Sequence, residues 1–305
     1  MKNFLRTSLI LLFFCVAYAS APQRVFAADI SFVPSSRQVE VGQEFYVDIY
    51  LDTQGESVNA ASLAVIFSEG VSYLYSNDGA SVIPLWIENP AENTKGEVSF
   101  SGIIPGGFNG YIDPFNVTQR APGTLLRLFF TAQEAGEITL SGKNIEVYKN
   151  DGFGTPVAVE FAPLSLVVVP STGTVSARIS DTEAPLPFTP VIVSEELLFG
   201  GEYAVVFTTK DLGSGVAYYE VRENGKQWKR AESPHKLEKQ KNLTSVEVAA
   251  FDHSGNQQLG NAEIPESLRP RAIPVFTIIG VVALLIVCAI LILKWQAIKT
   301  YLRKK

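Results

Sequence analysis

Between residues 30 and 169, apolar side chains recur at every second position in short runs, and no sustained helical period appears. Phe45, Val47, Ile49 and Leu51 alternate with Tyr46, Asp48, Tyr50 and Asp52. Such a segment is apolar on one side and polar on the other, which is the pattern of a half-buried strand. Similar runs occupy 60–67, 71–75, 97–101, 124–131, 137–141, 144–148, 157–161 and 164–169, divided by Gly, Pro, Asn and Asp. About nine or ten strands in so short a stretch predict an all-β domain, a β-sandwich of jelly-roll type. Residues 170–187 (PSTGTVSARISDTEAPLP) are rich in Pro, Ser and Thr without long alternation, so a linker is expected at 171–187. Runs near 188–193, 202–209, 216–222 and 244–251, with the turns DLGSG and DHSGN, predict a smaller Ig-like or fibronectin-III-like sandwich over 188–265.

Two uncharged apolar runs bracket all 31 acidic residues. The second, 273–293, would be about 31 Å long as a helix, the thickness of a hydrocarbon core. Lys294, Lys299, Arg303, Lys304 and Lys305 follow it, whereas only Arg269 and Arg271 lie close before it. This asymmetry predicts a C-terminal transmembrane helix at 273–294 and a basic cytoplasmic tail at 295–305, with Trp295 at the membrane boundary. The first run, 9–16, is too short to span. Lys2 and Arg6 precede it, and Val25-Phe26-Ala27 offers a cleavage site, so a signal peptide is expected at 1–27, with Ala19 as a second cut. The expected product is a single-pass membrane protein of a bacterial or archaeal surface with its β domains outside.

Residues 28–272 carry 31 acidic against 17 basic residues, a net charge of −14, which argues against nucleic acid and anionic lipid as partners. Most of that charge lies in 28–170, with 17 acidic and 6 basic residues; 171–272 has 14 and 11. The two cysteines, Cys15 and Cys288, both fall in the apolar runs. Both β domains must therefore be held by core burial without disulfides.

The means of catalysis are scarce. Only His235 and His253 are present, with no HExxH pattern and no His/Cys cluster for zinc. Asp48 and Asp52 share a strand face but stand about 13 Å apart at ~3.3 Å per residue, beyond the ~5–9.5 Å of glycosidase carboxylate pairs. Asp252, Ser254, Asn256 and Glu263 match EF-hand positions one, three, five and twelve, yet Gln257 replaces the glycine of position six and a strand pattern precedes the loop. A β-turn is expected there. Neither an enzyme, nor a cofactor, nor a metal site of the chain's own is expected. The loop GIIPGGFNG (102–110) lacks the Gly-Lys-Ser/Thr of a phosphate cradle and reads as a strand connection. Tyr73, Tyr75, Trp86, Phe108 and Tyr111 are candidates for a sugar-stacking surface, or else for core and rim packing.

The opening ISFVPSSRQVEVGQEFYVDIYLDTQ, the strand VNAASLAVIFSEGV, the middle stretch GEVSFSGIIPGGFNG, the run GTLLRLFFTAQEAGEITL and the closing VAVEFAPLSLVVV follow one another as the strands of the cohesin family do. Residues 28–170 thus resemble a cohesin. The resemblance implies a non-catalytic cohesin-like sandwich that binds a dockerin-like protein module, with calcium carried by that partner. Ser62 and Ser68 fall near the partner-binding strand, and Phe67-Ser68 stands where the family carries an aromatic-Asp pair. A link to polysaccharide degradation is one implication. Direct polysaccharide binding is the alternative, since cohesins are akin to carbohydrate-binding modules. The second domain is similar to bacterial Ig-like modules in which D-x-G-S-G-V enters one strand and A-x-D-x-x-G-N ends another, modules that usually act as spacers.

Overall fold

A computed structural model describes residues 27–113, 115–173, 178–270 and 275–303. The expected signal peptide, apart from Ala27, lies outside them. The strands in chain order are β1 (Ala27–Pro34), β2 (Gln38–Glu40), β3 (Glu44–Asp52), β4 (Val58–Phe67), β5 (Val71–Asn77), β6 (Leu85–Thr94), β7 (Glu97–Phe108), β8 (Tyr111–Asp113), β9 (Asn116–Ala121) and β10 (Gly123–Ala132). They continue with β11 (Gly136–Lys149), β12 (Ala158–Phe161), β13 (Leu164–Val169), β14 (Val191–Val193), β15 (Ala204–Val206), β16 (Val216–Glu223), β17 (Lys229–Ala231), β18 (His235–Lys236), β19 (Val246–Asp252) and β20 (Gln257–Asn261). An α-helix, α1, runs Val275–Arg303.

The chain divides into two compact units. The first comprises everything up to Leu186 together with Thr209–Ala217 and Phe251–Gln258; the second takes Pro187–Thr208, Tyr218–Ala250 and the rest from Leu259. In the first unit a five-stranded sheet, β12-β1-β3-β10-β5, and a six-stranded sheet, β2-β13-β11-β4-β7-β6, form a sandwich. Their inner faces supply Phe45, Ile49, Leu63, Phe100, Leu128 and Phe130 to one core. Phe130 lies 5.6 Å from Phe45 and 5.2 Å edge-on to Phe67, centroid to centroid. Each such ring stabilises the fold by about 1.5–3 kcal/mol through burial. The second unit has a separate core around Val205, Phe207, Leu237 and Val248.

The predicted strands at 137–141 and 144–148 are one strand, β11, which continues through a register shift between Lys143 and Glu146. Asn144 takes φ +52° there, a left-handed value that Asn tolerates better than most residues. The alternation did not reveal β6: its side chains are largely exposed and it contains Pro90. An edge strand needs neither a buried face nor every N–H. Two residues of the stretch read as a linker, 171–187, are hydrogen-bonded to strands of the first unit. The Thr172 amide and hydroxyl donate to Glu40 (both 2.8 Å), and the Ile179 amide donates to Glu44 Oε2 (3.3 Å).

Among the described residues, no helix is long and apolar enough to cross a membrane. The first residues of the expected span, 273–274, lie outside the described residues, and side chains of α1 are described only over 279–295.

Candidate functional site

The six-stranded sheet of the first unit packs one face on the core and turns the other outward. Strand β4 has β11 on one side and β7 on the other, and β6 closes the edge. Period-2 alternation sends Ala61, Leu63, Val65 and Phe67 into the core, and so leaves Ala60, Ser62, Ala64 and Ile66 on the opposite face. Ser62 stands opposite Ser101 of β7 and Glu146 of β11; Ala64 stands opposite Ser99 and Lys143. The small side chains of Ser62, Ala64, Ser99 and Ser101 leave the centre of the face flat beside Lys143 and Glu146.

Charges frame it. Ser99 Oγ donates to Glu88 Oε1 (2.8 Å), Asn93 Nδ2 donates to the same oxygen (3.2 Å), and Lys143 Nζ meets Glu97 Oε2 at 3.3 Å. Tyr148 OH donates to Glu146 Oε2 (2.9 Å), and this contact pushes the tyrosine pKa upward. At the β6 edge Leu85 and Ile87 are exposed, Ile87 by 70%.

Of the two serines singled out in the sequence, Ser62 is half-buried at the centre of this face. Ser68 is not free in the same way. It lies just past β4, where its amide donates to Thr139 O (3.1 Å) and its Oγ accepts from Thr139 N (3.2 Å), so it ties β4 to β11. The two do not form one cluster.

The candidate aromatics do not assemble into a common platform. Tyr73, Trp86 and Phe108 pack against the core, and Trp86 Nε1 donates to Asp78 Oδ2 (3.0 Å). Tyr75 is stacked between Phe129 (4.4 Å) and His253 (3.6 Å). Tyr111 alone of the five is more than half exposed. The carboxylates of β3 part company as well. Asp48 is 7% exposed and gripped by Arg127, with Nε to Oδ1 at 2.6 Å and Nη2 to Oδ2 at 3.0 Å. Asp52 instead faces Asp29 of β1; burial, then Asp52 and Glu160, push the Asp29 carboxyl up.

The EF-hand-like stretch is a turn between β19 and β20, in which Gly255 N donates to Asp252 O (3.3 Å). Asp252 instead joins Asp181 and Asp211, with one carboxylate oxygen from each within 4.8 Å of the others. Sequence reasoning passed over this trio because its members lie in a presumed linker, a turn and a strand end. The Asp-rich turn signatures DLGSG and DHSGN were the only pointer.

No protein-family model and no curated protein matches the chain. Solved structures do. A non-cellulosomal cohesin from Archaeoglobus fulgidus is 14% identical over 47% of this chain and 91% of its own, with a TM-score of 0.36. About half of the chain is cohesin-like. The seventh ScaB type I cohesin from Pseudobacteroides cellulosolvens is 15% identical, over 49% of this chain and 97% of its own, at a TM-score of 0.37. A cohesin solved as a cohesin–dockerin complex from Clostridium thermocellum is 9% identical, over 50% and 99%, at 0.39. At such identities the likeness is one of fold and does not extend to individual residues.

Proposed function

We propose that this protein is a non-catalytic surface receptor whose cohesin-like sandwich docks a dockerin-like protein module on the outward face of β11-β4-β7-β6. The observation that carries the reading is the flat centre of that face, where Ser62 stands opposite Ser101 and Ala64 opposite Ser99. Small side chains let a partner's backbone or helix approach closely, while Glu88, Glu97 and Glu146 offer acceptors around them. The net charge of −11 over 28–170 favours encounter with a partner that presents basic groups.

We further propose that residues 273–293 anchor the chain, with the C-terminus inside. Support comes from the sequence run and from α1 itself. Its side chains from Ile279 to Leu293 are apolar and exposed on every side, and such a helix needs an apolar surrounding.

The test of docking is capture of dockerin modules by the full chain in detergent with calcium present, alongside a glycan array. Saturable capture by one class of dockerin is expected, slowing as ionic strength rises. Capture of none from a broad panel, with saturable glycan binding instead, would replace this reading with direct carbohydrate recognition.

A further inference from the structure

Three chain segments bring carboxylates together on the first unit, away from the proposed docking face. Asp181 comes from the stretch after β13, Asp211 opens the DLGSG turn, and Asp252 ends β19. Asp211 and Asp252 are each 2% exposed, and Asp181 is half-buried. Backbone and side-chain donors orient all three. Asp181 accepts from the amides of Glu183 (3.0 Å) and Ser214 (2.6 Å), Asp211 from those of Gly213 (3.1 Å) and Gly215 (2.6 Å), and Asp252 from Asn256 N (2.8 Å) and Nδ2 (2.7 Å). A carboxylate offers about four lone-pair directions, so these bonds aim the groups without exhausting them.

A second, independent feature points to a ligand. Ser214 is 2% exposed, and its hydroxyl is buried with no hydrogen-bond partner. A buried hydroxyl left unbonded costs free energy and calls for an explanation. This one lies beside the Asp181 carboxylate and contributes to holding its pKa down against burial, which acts the other way, yet it falls short of ordinary hydrogen-bond geometry with that group. Its lone pairs are left for something else. The approach is tight as well: a Cβ on Gly213 would meet Asp181 Oδ2 at 2.3 Å, so only glycine lets the turn close over this carboxylate.

We infer that Asp181, Asp211, Asp252 and the Ser214 hydroxyl form a calcium site. All the donors are hard oxygens, the ligand class of Ca²⁺ and Mg²⁺ rather than of zinc. The looseness of the shell favours calcium, which takes about six to eight oxygens at about 2.3–2.6 Å in flexible geometry, whereas Mg²⁺ demands a near-ideal octahedron at about 2.0–2.1 Å and sheds its waters reluctantly. Three carboxylate oxygens that all lie within 4.8 Å of one another can reach one such ion. Three carboxylates crowded in a low-dielectric corner repel one another, and a divalent cation reverses the sign of that term. His253, adjacent to Asp252, is no ligand, because its ring is stacked flat on Tyr75. A bound ion would pin the 181 segment and both turns to one another, independently of any calcium the docking partner brings.

The test is terbium luminescence and isothermal titration with CaCl₂ on the full chain in detergent after removal of metal by chelator. Tyr75, whose ring feels the charge of all three aspartates, is the sensitiser. One ion per chain is expected, at the ~10⁻⁴–10⁻³ M dissociation constants of extracellular modules or tighter, with Mg²⁺ a poor competitor. Asp211→Asn should weaken uptake by about tenfold or more, by removing one of three ligand charges. Ser214→Ala, which leaves every carboxylate in place and is the less disruptive change, should weaken it by a smaller factor. Glu134→Gln, at an exposed acid elsewhere, should leave it unchanged. Calcium should also slow tryptic cleavage after Arg178. A wild-type chain that takes up no Ca²⁺ at ~10 mM would overturn the assignment. So would Asp211→Asn and Ser214→Ala chains that bind as the wild type does.

Discussion

Arg127 and Asp48 face each other across β10 and β3, joined by two hydrogen bonds, and the guanidinium lies 4.0 Å over the Tyr46 ring. Burial alone would lower the Arg127 pKa, but the Asp48 carboxylate more than reverses this. Removing one partner leaves the other desolvated and unpaired, so Asp48→Ala should cost about 3 kcal/mol, whereas Asp48→Leu with Arg127→Met should recover most of it. Urea denaturation midpoints of the three chains check this. A different residue sets an alkaline limit. The Tyr75 phenol is pushed up to about 12 by burial first, then by Glu44, Asp181, Asp252 and Asp211. Its folded pKa lies above the ordinary value of 10.0, so the folded state keeps a proton that the unfolded state releases. The Tyr75 contribution is therefore intact below pH 10 and lost as pH rises from 10 towards 12. Tyr75→Phe should flatten that part of the stability–pH curve, measured by denaturation from pH 9 to 11.5. Gly102 is a third case. A Cβ there would meet Ile83 Cγ2 at 2.3 Å and Leu85 O at 2.9 Å, so Gly102→Ala should destabilise by about 1–3 kcal/mol through overpacking, read from the same midpoints.

At the scale of elements, the proposed docking surface depends on the register of β4 between β11 and β7. Ser62 and Ser101 are cross-strand neighbours, so a long charged side chain at either stands over the flat centre. Ser101→Arg should reduce dockerin capture by at least about tenfold, or ~1.4 kcal/mol, without lowering stability. Ser31→Arg on β1, in the opposite sheet, should leave capture unchanged. Loss with both would point to a general charge effect rather than to this face. The strand pattern made β4 and its outward serine visible, because alternation is a local property. The role of Ser68 was not legible: its bonds run to Thr139, far along the chain, and nothing near it in sequence announces that partner. The edge strand β6 was equally silent, with a largely exposed surface and a proline in its middle.

For the whole molecule, the anchor reading predicts that protease added to intact cells removes both β units and leaves a small membrane fragment bearing the C-terminus. Digestion of a C-terminal tag from outside would reverse the orientation. The amino terminus adds a further check. Ala27 pairs with Ala158, and Ala28 is fully buried in β1. N-terminal sequencing of the mature protein is expected to begin at Ala28, or at Ser20 where the second cut is used.

The chain's period-2 runs and its glycine- and proline-rich breaks determined that it is built of strands and which runs would be buried. These follow from local stereochemistry and from the exclusion of apolar side chains from water, both of which act within a few residues. What only the tertiary structure decided is which distant groups meet. Asp48 became half of an ion pair instead of a free carboxylate, Tyr75 was enclosed by Phe129 and His253, and a presumed linker delivered Asp181 to Asp211 and Asp252. Such meetings are set by strand order and register across two sheets, and a one-residue slip would send each side chain to the opposite face.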